Sequence, residues 1–157
     1  MKKFRKILLS VAMLLVVVLA TACSGKEANA TKTFVLDKNG LKTTITYTYI
    51  EKDDRVIKQT TVNEGIYEQL PSTKTKEAVQ KVLDPIAAKY QGIQGIKESI
   101  DYQDDKFIEN LEIDYENIDY EKAKTVLGSG FADPSKTKIS MKKTEEMLLG
   151  KGYKEQK

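Results

Sequence analysis

Two stretches of this chain alternate with a period of two, and an Asp-Asp pair breaks each of them. Between Lys42 and Glu51, Thr43, Ile45, Tyr47 and Tyr49 fall on one side, with Lys42, Thr44, Thr46, Thr48 and Ile50 on the other. β-branched and aromatic residues at this spacing specify a half-buried strand. Asp53-Asp54 turns the chain, and Arg55 to Glu64 returns as the partner strand. The pattern recurs over 96–102 and 106–115, around Asp104-Asp105. There Leu111, Ile113 and Tyr115 alternate with Glu112, Asp114 and Glu116. A short strand at Thr33–Leu36 leads into Asn39-Gly40, a hairpin-type turn. An antiparallel sheet of two hairpins plus a short N-terminal strand follows.

Between and after the hairpins the apolar period changes to that of a helix. Ala78, Val79, Val82, Leu83, Ile86, Ala87 and Tyr90 share one face behind an N-cap at Thr75. Pro85 lies inside this pattern and is expected to kink or divide the helix near Asp84. Asp119 caps a short helix over Tyr120–Leu127, and a last helix spans about Ser140–Leu149, with Met141, Met147 and Leu148 toward the core. Tyr153 follows as a residue that packs back. The fold class is α+β: a sheet covered by two to three helices on one face, in a single domain over 33–157.

The two hairpins echo one another. Asp53-Asp54-Arg55-Val56-Ile57 matches Asp104-Asp105-Lys106-Phe107-Ile108, and each hairpin is followed by a Pro-Ser, at Pro71 and at Pro134. The Asp pairs are 51 residues apart and the Pro-Ser pairs 63, so the second copy carries 12 extra residues. Either a strand–strand–helix unit is duplicated, or common turn residues coincide in a chain rich in Lys and Thr. Duplication implies that Asp53, Asp54, Asp104 and Asp105 gather at one end of the sheet, a weak candidate site for calcium or a basic partner. The rival reading is that hairpin turns favour Asp because they face solvent.

The N-terminus carries an address. Lys2, Lys3, Arg5 and Lys6 precede an apolar run, Ile7 to Ala20, and Cys23 follows Leu19-Ala20-Thr21-Ala22 as the only cysteine. Fourteen residues are too few for a membrane span, which takes about 20. The order basic, apolar, small reads as a secretory signal, and a cysteine placed here resembles a lipobox. Ala20 stands three before the cysteine, where a lipobox typically has Leu. The expected organisation is a lipoprotein signal peptide over 1–22, a flexible tether over 23–32, and the domain. Diacylglycerol on Cys23 would hold the protein at the outer face of a membrane; plain secretion and a retained anchor are the alternatives.

Removing the signal leaves 22 basic against 23 acidic residues, a net charge of −1 in place of +3. That balance gives no reason to expect nucleic acid as a partner. With its cysteine lipidated the domain has no disulfide, and its stability rests on the core. Histidine is absent, which removes Ser-His-Asp and Cys-His catalysis. No phosphate-binding loop or nucleophile elbow is present. No cofactor is expected. Carboxylates remain: Asp101, Asp104 and Asp105 at one turn, then Glu112, Asp114, Glu116 and Asp119. They suit calcium or acid–base work chemically, but alternating acids on a strand ordinarily mark its wet face. Eight tyrosines offer walls for a sugar or peptide pocket or, more simply, half-buried sheet residues.

TYTYIEKDDRVIKQTT, KTKEAVQKVLDPIAAKYQGI, IDYENIDYEKAKTVLG and ISMKKTEEMLLGKGYKE together resemble the YehR-type bacterial lipoproteins, from about Thr44 to Lys154. The resemblance implies a small α+β lipoprotein domain and carries over one functional residue, the lipidated cysteine, here Cys23. The expected function is a non-catalytic binding or structural module of the cell envelope, with an unknown envelope partner or small ligand. The alternative is a carboxylate-dependent hydrolase or a calcium-binding envelope protein.

Overall fold

A computed structural model describes residues 29–128 and 131–156. Cys23 and the signal segment lie outside the described residues. Six strands form one antiparallel sheet in the order β4-β5-β3-β2-β1-β6. They are β1 (Asn29–Lys38), β2 (Leu41–Ile50), β3 (Arg55–Ile66), β4 (Ile96–Tyr102), β5 (Lys106–Asp114) and β6 (Lys154–Gln156). The helices are α1 (Lys76–Tyr90), α2 (Tyr120–Leu127) and α3 (Met141–Gly150). None among the described residues is long and apolar enough to cross a membrane.

β1 begins four residues before the expected Thr33, so the tether is shorter than the composition suggested. Asn29 pairs with Ile50, and the ladder runs unbroken to Lys38 opposite Leu41. Small polar residues that read as tether are recruited because β2 offers a full edge of backbone donors and acceptors. Asn39 and Gly40 both take positive φ (56° and 77°), as a two-residue hairpin turn of this hand requires. On its outer side β1 pairs with β6, an element the sequence did not announce, through Thr33–Val35.

Pairing places Phe34, Ile45, Thr61 and Leu111 in one row across the sheet, with Tyr47, Gln59, Ile113 and Ile96 in the next. All three helices cover this face, as expected, but each over its own apolar cluster. Met141 and Leu148 of α3 pack on Phe34, Ile45, Tyr47, Tyr49 and Val56. Val79 and Leu83 of α1 pack on Phe107, Ile100 and Tyr102. Ala123 of α2 packs with Ile93 and Ile96. Among the described residues, no helix lies over the opposite face. That face carries Thr33 bonded to Thr46, and ion pairs Lys58–Glu112–Lys97 and Glu64–Lys106. Glu112 is thus the wet-face residue its alternation suggested.

A bulge at the start of β3 sets this division. Tyr49 pairs with Val56 and Thr48 with Lys58, leaving Ile57 unpaired to β2. The extra residue lets Val56 point into the core while Lys58, two positions on, faces outward. Gly65 is held by a neighbour: a Cβ there would lie 2.2 Å from Cε1 of Phe107, so only glycine lets that ring lie flat on β3.

The helices depart from expectation in three ways. α1 runs undivided through Pro85, whose ring sits on its exposed side. Only Val79 of α1 is fully buried, while Val82 and Ile86 are 50% and 41% exposed. The helix therefore covers less than its long apolar pattern implied. In α3 Met147 is exposed, and Thr144 joins Met141 and Leu148 inward at helical spacing. Tyr153 packs back on the α3 cluster as anticipated.

The internal echo has a counterpart in the topology. The hairpins β2–β3 and β4–β5 meet through antiparallel β3 and β5. Val56 and Phe107, the matched residues after each Asp-Asp turn, are both buried. α1 follows the first hairpin but covers the second, and α3 follows the second but covers the first. α2 is the surplus element of the second half, where the extra residues fall.

Candidate functional site

The same antiparallel pairing corrects the expected acidic cluster. Arg55 begins β3 and Lys106, paired with Ile66, begins β5, so the two Asp-Asp turns lie at opposite ends of the sheet. A strand of 12 residues separates them by roughly 35 Å. Asp53 and Asp54 cannot share an ion with Asp104 and Asp105. Two-fold-like hairpins place their turns apart, not side by side.

Asp54 instead fastens the first turn to α3. It adopts positive φ, 52°, and accepts hydrogen bonds from the Ser140 hydroxyl and from the Lys142 backbone N–H at 2.9 Å. Ser140 caps α3 by accepting from Lys143 N at 3.2 Å. Lys138 Nζ donates to the Asp53 carbonyl at 2.7 Å, and Val56 N donates to Ile139 O at 2.9 Å. The Ser140 hydroxyl, then the Lys142 amide, hold the Asp54 carboxyl below its ordinary range. At the other end, Asp104 and Asp105 face the start of α1 across an open cleft of about 590 Å³.

A second cleft, about 430 Å³, lies beside the first turn, lined by Arg55, Tyr115, Asp119, Tyr120 and Asp133. Phe131 lies between two tyrosines, with ring centroids 6.2 Å from Tyr115 and 5.9 Å from Tyr120. Arg55 reaches Glu116 at 3.3 Å. Asp119 is committed to capping α2 through Lys122 N. Asp133 is bonded to Ser135. The cleft thus joins an aromatic wall to a cation and hydrogen-bonding groups, a combination suited to a small polar ligand. Sequence reasoning named none of Arg55, Tyr120 or Phe131 as site residues, because the loop that brings them together has no periodic signal.

Tyr47 and Tyr49, the tyrosines that share one side of β2, are core residues at 5% and 9% exposure and not a pocket wall. Burial pushes the Tyr47 hydroxyl up to about 12. A polar seam crosses the covered face between the clusters. Thr43 donates to Asn63, and Asn63 donates to Glu109, each at 2.7 Å. Beside it Glu98 accepts from Gln91 through one oxygen, while its other oxygen is buried without a partner. Burial, then the Glu109 charge, raises the Glu98 carboxyl.

The comparisons with known proteins agree along the whole chain. Residues 30–154 match the family described as Protein of unknown function (DUF1307). "Uncharacterized lipoprotein Lin0239" of Listeria innocua is 41% identical, covering 99% of this chain and 98% of its own. "Uncharacterized lipoprotein YehR" of Escherichia coli is 36% identical over the full length of both. The NMR structure of E. coli YehR superposes with a TM-score of 0.66 at 32% identity, covering 83% of this chain and 93% of that one. A Streptococcus pneumoniae protein, 19% identical, shares the fold at a TM-score of 0.58, covering 85% and 88%. The chain belongs to the DUF1307 family, which holds proteins of unknown function.

Proposed function

We infer that this protein is a lipid-anchored component of the cell envelope, held at the extracytoplasmic face through diacylglycerol on Cys23. The observation that carries this reading is the basic–apolar–small–Cys order at 2–23, in a chain whose full-length relatives bear the name lipoprotein. Two acyl chains anchor firmly where one binds only marginally, at about 0.8 kcal/mol per buried CH₂. The domain outside the membrane works as a binding module, not a catalyst. The cleft of Arg55, Tyr115 and Tyr120 is the binding candidate, because its acids are engaged in caps and loop bonds and its aromatic wall is partly open.

Intact mass of the N-terminal peptide should show the diacylglyceryl adduct, and a Cys23→Ala protein should lose membrane association. A variant that remains equally bound would end the lipid reading. Thermal-shift measurements against sugars, peptides and Ca²⁺ test the module. A shift lost in Tyr120→Ala supports the cleft. Turnover in a hydrolase panel, abolished by a single Asp or Glu substitution, would reverse the assignment to an enzyme.

A further inference from the structure

We propose that the end of the domain bearing the β2–β3 turn and the start of α3 rests on an anionic phospholipid surface, so that the opposite end, with the Asp104-Asp105 turn, faces away from the membrane. This rests on the lipid-anchor reading and adds an orientation to it. Its first support is covalent reach. β1 starts at Asn29, six residue steps after Cys23, and six steps of extended chain span no more than about 20 Å. The whole length of β3 is nearly twice that reach. The tether therefore determines which end of the sheet stays near the lipid. Asn29 pairs with Ile50, the last residue before the Glu51–Asp54 turn, and that turn is bonded to the N-terminus of α3.

The second support is charge. Lys52, Lys138, Lys142 and Lys143 are exposed at this end and make no ion pair among the described residues. Among the acids beside them only Glu116 is neutralised, by Arg55. Asp54, bonded to the Ser140 hydroxyl and the Lys142 amide, keeps its charge and stands with Glu51 and Asp53, so the four lysines exceed the acids at the tip by one, and Glu146 lies a turn further along α3. At the far end Asp37, Asp101, Asp104, Asp105, Glu68 and Glu77 outweigh Lys38, Lys42, Lys74 and Lys76. Each lysine near an anionic leaflet contributes about 1 kcal/mol, within a Debye length of about 8–10 Å. The tether, with its reach of about 20 Å, lets the lysines come within that distance without a separate association step. Attraction at one end and repulsion at the other then orient the domain in the same sense.

The lipidated full-length protein tests this in vesicles of phosphatidylcholine with or without phosphatidylglycerol. A nitroxide is placed on Thr137→Cys beside Lys138, or on Ser72→Cys at the far end. Both are exposed, uncharged positions, and intact mass first confirms the diacylglyceryl group on each preparation. With phosphatidylglycerol, relaxation by a headgroup-chelated nickel lipid should be several-fold stronger at 137 than at 72. The contrast should shrink at 1 M salt and in the Lys52→Glu, Lys142→Glu, Lys143→Glu variant, whose circular dichroism melt checks that it folds. Equal relaxation at the two positions in a lipidated protein overturns the orientation and leaves the anchor standing. An unlipidated, soluble protein overturns both.

Discussion

Single carboxylates in this protein have opposite relations to folding. Asp54 is ionised more readily in the fold than in the open chain, because the Ser140 hydroxyl and the Lys142 amide bond its charged form. Its contribution is complete above the ordinary Asp value of 3.8 and fades as pH falls through the lower folded value. Asp54→Ala should cost about 1–2 kcal/mol at pH 7, the range for losing a helix cap with a charged acceptor. Thermal melts should show the deficit at pH 7 and its closing near pH 3. Glu98 runs the other way. Burial and Glu109 keep its proton on to a higher pH, so ionisation above that value costs stability. Below the ordinary value of 4.5 both states are protonated and the cost vanishes. Glu98→Gln should raise the melting temperature at pH 7 and leave it unchanged near pH 4. A lower melting temperature at neutral pH would mean that the buried oxygen has a partner in solution.

At the scale of elements, α1 is a helix that sequence pattern overstates. Its apolar spacing is genuine, yet Val82 and Ile86 look outward and Val79 alone is sealed. Pro85 occupies the exposed side and leaves the 81 carbonyl without its helical donor. Pro85→Ala should stabilise the protein by about 1–3 kcal/mol, since alanine restores that bond and suits a helix interior; urea unfolding reads the gain as a higher midpoint. The strands were legible because Thr, Ile and Tyr alternate through them, and two of the helix caps because Thr75 and Asp119 stand where first turns begin; Ser140, read as the first residue of α3, proves to be its cap. The bulge at Ile57 was not legible, since RVIKQTT reads as regular strand until the partner register is known. Nor was β6. Lys154–Gln156 has no apolar pattern and pairs only because β1 leaves an edge free. The Arg55 cleft stayed hidden because, Arg55 apart, its lining comes from residues 115–135, whose turns and loops carry no periodic signal.

The whole molecule behaves as two similar halves that exchange helices. Each hairpin carries its own apolar cluster and is followed by a helix that covers the other hairpin. The polar seam of Thr43, Asn63 and Glu109 marks where the two covers meet without merging. The placement that separates the Asp-Asp turns also gives the molecule two unlike poles. One is locked by Asp54, and the other stays open between Asp105 and α1.

That exchange governs when the protein can be finished. Ile45, Tyr47 and Tyr49 are made early, but Met141 and Leu148, which roof them, arrive about ninety residues later. β1 receives its outer neighbour only with Lys154–Gln156. At synthesis rates of about 5–20 residues per second, the first hairpin waits roughly 5–20 s with its greasy side bare. An exported chain gains from that delay. Under the proposed anchorage, such a chain would stay a thread while it passed through a narrow conduit and would close once its last strand emerged on the far side.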